Sequence, residues 1–137
     1  MTPILKLTIA TAALLLTTMA GVATAEAPLA ALSQLEPGQW SLTAPGVPSR
    51  SICVTDPRAL LQLQHTGVAC SRYVITNEKA VTVVHYTCPG AGHGRTEVKV
   101  ETPRLIQIQS QGIADNAPFD WAYQGRMTGA CTSASRR

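Results

Sequence analysis

A chain of 137 residues with 11 basic and 8 acidic side chains and a formal charge of +3 is close to neutral for its size. The basic residues are scattered and only Arg136-Arg137 form a terminal pair, so nothing in the charge pattern resembles a nucleic-acid footprint. The length allows one domain with a single modest core.

The first segment reads as an export signal. Lys6 supplies a positive start, Leu7 to Ala23 an apolar centre, and Ala23-Thr24-Ala25 a small-residue cleavage site. Cleavage is expected after Ala25, which makes 1–25 a signal peptide and 26–137 a single domain of 112 residues. The alternative, an uncleaved membrane anchor, is disfavoured because the run is slightly short for a span of roughly 20 residues and carries four threonines. No later run is long and apolar enough to suggest a membrane span after cleavage. A soluble, periplasmic protein is the expectation.

In the 26–137 domain, residues 26–37 are mixed, with Pro28 and Pro37. Gln39 to Thr43 alternates and predicts a strand carrying Trp40, a candidate core anchor. Arg50 to Thr55 predicts a second strand. Asp56-Pro57 is a helix start, since Asp caps well and proline fits the first helical position. A short α-helix is expected to run through Arg58 to Gln64, burying Leu60, Leu61 and Leu63 and ending near Gly67.

From Cys70 onward the pattern is a β-meander. Strands are predicted over 72–76, 80–88, 95–102 and 104–112, with a last one around Phe119 to Met127. The cleanest period-two stretch sets Arg95, Glu97, Lys99 and Glu101 against Thr96, Val98, Val100 and Thr102. Pro89 to Gly94 and Ile113 to Pro118 are expected to be loops. The fold class is therefore mainly β, an antiparallel meander curling into a small barrel or sandwich with one short α-helix.

Cys53, Cys70, Cys88 and Cys131 are an even set in an exported small domain, which implies a disulfide framework. The favoured pairing is Cys53–Cys70 around the helix and Cys88–Cys131 to the C-terminal end. The competing use of a cysteine is a metal site of His85, Cys88 and His93, whose close spacing puts soft ligands together. Without a C-x-x-C pair, and in an oxidising compartment, disulfides are preferred and no cofactor is implied.

Other chemistry is thin. Gly90-x-Gly92-x-Gly94 lacks the helix N-terminus and the lysine of a phosphate loop. No G-x-S-x-G elbow supports a hydrolase, which stands as a further alternative. Glu97 and Glu101 are interleaved with cations on a solvated face, and Gln107, Gln109 and Gln111 form a wet row. Phe119, Trp121 and Tyr123 share a parity. They are either the core of the last strand or the lining of a pocket for a small hydrophobic ligand. The pattern leans away from an enzyme and towards a non-enzymatic binding domain whose partner is such a ligand or an envelope protein.

Four segments in order carry a family resemblance: Leu35-Glu-Pro-Gly-Gln-Trp40, Arg50-x-x-Cys53, Tyr86-x-Cys88 and Gly125-Arg-x-x-Gly-x-Cys131. Together they resemble the domain of unknown function 3617, a group of small proteins exported by Gram-negative bacteria. The resemblance spans roughly residues 35–131. It implies a periplasmic location and a cysteine framework, and it supplies no activity and no catalytic residues.

Overall fold

The structure, a computed structural model, describes Gly21 and residues 26–133. Apart from Gly21, the expected signal segment lies outside the described residues, as does the Arg136-Arg137 pair.

Seven strands run β1 (Gly38–Ala44), β2 (Val47–Val54), β3 (Ser71–Asn77), β4 (Val81–Cys88), β5 (Gly92–Thr102), β6 (Leu105–Ala114) and β7 (Ala117–Gly129). Two 3-10 helices, η1 (Leu32–Gln34) and η2 (Pro57–His65), complete the set. All pairings are antiparallel, in the order β2-β1-β7-β6-β5-β4-β3. The meander expected from the period-two pattern is thus one sheet. It leaves β2 and β3 as free edges and does not close into a barrel. The sheet curls, because η2 packs against β2, β4, β5 and β6 at once.

Alternation decides which face is inside. Thr96, Val98 and Val100 on β5 are buried opposite Ser110, Ile108 and Ile106 on β6, while Arg95, Lys99, Gln107 and Gln109 face solvent. Trp40 and Leu42 from β1, Leu60 and Leu61 from η2, and Val84 from β4 join them with no exposed surface. Burying each such side chain is worth roughly 1.5–3 kcal/mol. The indole N–H of Trp40 donates to the carbonyl of Glu36 at 3.1 Å, so its one polar group is satisfied.

The segment before β1 closes one end of the curled sheet. Leu29, Leu32 and Leu35 recur every third residue and are all buried. Asn77 ties the segment down, accepting from the Ala30 N–H at 2.8 Å and donating to the Pro28 carbonyl at 3.2 Å.

Three expectations are corrected. The helix is 3-10 rather than α, and it breaks at Gln62 (φ −138°, ψ 43°). One α-helical stripe cannot direct Leu60, Leu61, Leu63 and His65 all inward, and all four are buried; the break turns the second half. The Gln62 amide donates to the carbonyls of His65 (3.3 Å) and Val68 (3.0 Å). The expected N-terminal signal does hold: Asp56 accepts from the Arg58 N–H at 2.9 Å, with Pro57 next in line.

The disulfides are Cys53–Cys131 and Cys70–Cys88, not Cys53–Cys70 and Cys88–Cys131. The β3–β4 register sets Ser71 opposite Thr87, so Cys70 and Cys88 are the next pair out, with Cα atoms 4.2 Å apart. Cys53 lies opposite Gln39, whose other neighbour is Gly129, and the chain leaving β7 crosses the end of β1 to meet it. The segment between Cys53 and Cys70 carries the chain from one sheet edge to the other instead of closing on itself.

The two expected loops are tighter than foreseen. Asp115 and Asn116 both have positive φ and form a two-residue turn directly between Ala114 and Ala117. The glycine segment holds only a short turn, and Gly92 and Gly94 already belong to β5.

Candidate binding cleft

The two free edges face a common opening. On β2, Val54, Ile52 and Arg50 stand opposite Gly38, Trp40 and Leu42 of β1. On β3, Arg72 stands opposite Tyr86 of β4. Residues directly across an antiparallel pair share a face, and Trp40, Leu42 and Tyr86 are buried inside. Each edge strand therefore presents an arginine on the concave side, at the point where a closed barrel would have its next pairing.

Between them is a cleft of about 440 Å³. Ile52, Val54, Ala59 and Leu63 give it apolar surface, and Arg50, Arg58 and Arg72 converge on it together with Asp56. η2 forms its floor. The volume is within the range of roughly 300–1,000 Å³ occupied by small-molecule sites.

The charges are unevenly matched. Arg58 forks onto Asp56 through Nε at 3.0 Å and Nη2 at 2.7 Å. That hydrogen-bonded guanidinium holds the Asp56 carboxyl below its ordinary value, against the smaller opposing effect of burial. The same pairing raises the Arg58 guanidinium. Arg72 reaches Glu26 through Nη2 at 3.1 Å, and Arg58 lies 3.7 Å from the same carboxylate. The Arg72 side chain is only 17 % exposed, and its Nε is shut off from solvent without a hydrogen-bond partner. Arg50 makes no ion pair among the described residues.

The residues singled out from sequence lie elsewhere. Phe119, Trp121 and Tyr123 stand opposite Gly112, Ser110 and Ile108, on the concave side of β7 and half-buried. Trp121 and Tyr123 pack against the core with ring centroids 5.0 Å apart. The Trp121 indole donates to Gln64 Oε1 at 3.3 Å, and Phe119 meets His65 edge-on at 6.0 Å. Phe119 borders a more open depression of about 440 Å³ and Tyr123 another of about 490 Å³.

His85 and His93 are neighbours on the outer face, with ring centroids 5.7 Å apart. Cys88 is bonded to Cys70 and turned inward, so its sulfur is not a thiolate ligand beside them. Among the described residues no group of three or more His, Cys, Asp or Glu could hold a metal ion. The third histidine, His65, hydrogen-bonds the Tyr86 hydroxyl and the Ala91 carbonyl rather than a serine or carboxylate.

The arginine cleft escaped the sequence reading because Arg50, Arg58 and Arg72 are spread over a helix and two strands that pair with other partners. A signal was present. Arg50-x-Ile52-x-Val54 puts a cation in phase with inward apolar positions, which an ordinary wet strand face does not do.

No helix among the described residues is long and apolar enough to cross a membrane. The two disulfides fit an oxidising, extracytoplasmic compartment. No protein-family model, curated protein or solved structure matches the chain.

Proposed function

We propose that the chain is a non-enzymatic binding module of the periplasm, of the kind represented by the domain of unknown function 3617, and that it takes a small ligand into the cleft between β2 and β3. The observation that carries this reading is a preformed cleft at the unclosed seam of the sheet. Its walls combine apolar side chains with convergent cations, the composition expected of a ligand site. The disulfide framework and the signal-like N-terminal segment support the compartment.

A preformed cleft can be blocked without touching the core. Ala59 is exposed and lines the cleft on η2, so Ala59→Trp fills it from the solvent side. Native, non-reducing mass spectrometry of the protein purified from the periplasm is the test. The expected result is a chain beginning at Glu26 that carries extra non-covalent mass, absent from the Ala59→Trp variant. Extra mass retained equally by the variant overturns the cleft as the site. A chain that keeps residues 1–25 overturns cleavage after Ala25, and a chain recovered only from the cytoplasm overturns the export reading.

A further inference from the structure

We infer that the ligand of this cleft is an anionic amphiphile, whose acid group is held by Arg50 and Arg72 and whose apolar body lies along Ile52, Val54 and Leu63, with Glu26 standing in for the acid until the ligand displaces it. The inference rests on the cleft being the ligand site.

Consider the cations first. An arginine on the concave side of a strand, in phase with apolar neighbours, is out of place in a protein that has only its own core to build. Here both free edges do it, through Arg50 and Arg72. Arg72 is largely buried yet keeps an N–H without an acceptor. That Nε is closed off from solvent, so an incoming carboxylate or phosphate meets the outer edge of the guanidinium instead, where Nη2 now holds Glu26 at 3.1 Å. Guanidinium groups suit that task because their planar donors match such oxygens two at a time.

The internal acids are not equivalent. Asp56 is committed to Arg58, which it forks and which it caps through the backbone. Glu26 holds Arg72 and Arg58 at longer range, from an exposed position just ahead of the first buried residue of the N-terminal segment. It is the acid that leaves most readily, and its departure frees the Arg72 guanidinium at the cleft, while Arg58 stays with Asp56. The apolar lining excludes a purely ionic ligand such as free phosphate as the best fit, because such an ion leaves Ile52, Val54 and Leu63 uncovered.

The test is isothermal titration calorimetry on the exported protein, with single-chain probes held below their micelle concentrations: decyl phosphate, decanoate, decanol, decyltrimethylammonium and inorganic phosphate. The expected result is binding of decyl phosphate and decanoate, with the cationic probe inert. Arg50→Gln and Arg72→Gln each weaken that binding by about tenfold or more, the loss expected for a charge-assisted hydrogen bond. Glu26→Gln strengthens it, and Ala59→Trp abolishes it. Arg50 is exposed and makes no ion pair among the described residues, so Arg50→Gln reads the interaction even if Arg72→Gln folds poorly. Decanol binding as tightly as decyl phosphate, and lost in Ala59→Trp, overturns the acid-group inference while leaving the cleft reading intact. Inorganic phosphate binding as tightly as decyl phosphate overturns the amphiphile. Binding of decyl phosphate that survives Ala59→Trp overturns the cleft reading itself.

Discussion

The hydroxyl of Tyr86 stands 3.0 Å from Nδ1 of His65, and the two rings meet edge to face. Nε2 of the same imidazole lies 3.2 Å from the Ala91 carbonyl. A carbonyl only accepts, so Nε2 carries the hydrogen and Nδ1 accepts from Tyr86. Ser110 in turn hydrogen-bonds Tyr86, and its hydroxyl lies 2.8 Å from that of Thr96. A single polar chain thus ties the end of η2 to β4, β5 and β6 inside an otherwise apolar interior.

Removing the shared hydroxyl breaks the chain in the middle. Tyr86→Phe keeps the ring but leaves His65 Nδ1 without its donor, while Ser110 keeps only Thr96. A buried polar group deprived of its hydrogen bond costs roughly 1–3 kcal/mol, and each kcal/mol lowers the melting temperature of a domain this size by roughly 4–8 °C. Thermal unfolding of the variant is expected to show that drop. An unchanged melting temperature means the network does not hold η2.

The same tyrosine sets an alkaline limit. Burial raises its pKa from the ordinary 10.0, with the Ser110 hydrogen bond a smaller opposing influence. The unfolded chain therefore ionises Tyr86 at lower pH than the folded one. The contribution to stability is whole below about pH 10 and is lost as pH climbs towards the raised folded value. Denaturant midpoints measured across that range should fall more steeply in the native protein than in Tyr86→Phe. Parallel curves would contradict the assignment.

Gly94 exists to admit that ring. A Cβ built on Gly94 meets the Tyr86 hydroxyl at 2.6 Å and its ring carbons at 2.7 and 2.8 Å. Tyr86 cannot swing away, being fully buried and hydrogen-bonded on both sides. Gly94→Ala is expected to destabilise by about 1–3 kcal/mol, the usual range for overpacking. In the double variant Gly94→Ala/Tyr86→Ala the clash is gone, and the added penalty of the glycine change should vanish. A double-mutant cycle of denaturation midpoints checks this, and strict additivity refutes it.

Asp56 gives a response of the opposite sign. Its pKa is lowered from the ordinary 3.8, chiefly by the Arg58 hydrogen bonds. A lowered folded pKa means a contribution present above the unfolded value and lost as pH falls through the folded one. The pair is half exposed, so solvent screening keeps its contribution small. Asp56→Asn preserves the cap, since Asn serves there as well as Asp, and deletes the charge. The variant should be slightly less stable than the native protein at neutral pH, with the gap closing below pH 3.8. A gap that persists in strong acid would place the effect on the cap instead.

Sheet and faces were legible because alternation is a local property. Thr96, Val98 and Val100 announce an inward row whatever strand pairs beside them, and Asp56-Pro57 announces a helix start whatever follows. The glycine segment misleads for a physical reason: Gly92 and Gly94 are strand residues that make room for the Ile113 carbonyl and the Tyr86 ring from distant positions, so their purpose is invisible in their own neighbourhood. Parity alone puts Phe119, Trp121 and Tyr123 on one face of β7, whereas the cleft is lined from segments far apart in the sequence. Cleft and cysteine pairing both depend on strand order, and no short stretch of sequence encodes the return of β1 and β2 to the far side of β7.

That return makes the two disulfides unequal. Cys70–Cys88 joins neighbouring strands across 18 residues and reinforces a hairpin already paired along its length. Cys53–Cys131 spans 78 residues and fastens the edge strand β2 to the end of β7. Restriction of the unfolded chain grows with loop length, giving about 3 kcal/mol for the short loop and more than 4 kcal/mol for the long one. Cys53→Ala/Cys131→Ala is therefore expected to lower the guanidinium midpoint further than Cys70→Ala/Cys88→Ala. It should also impair the cleft more, because β2 supplies Arg50, Ile52 and Val54 and loses its cross-link to the C-terminal end. Midpoints for both double variants, with decyl phosphate titrations beside them, test the two halves separately. If the short bridge proves the more important, β3 rather than β2 is the edge that needs fastening.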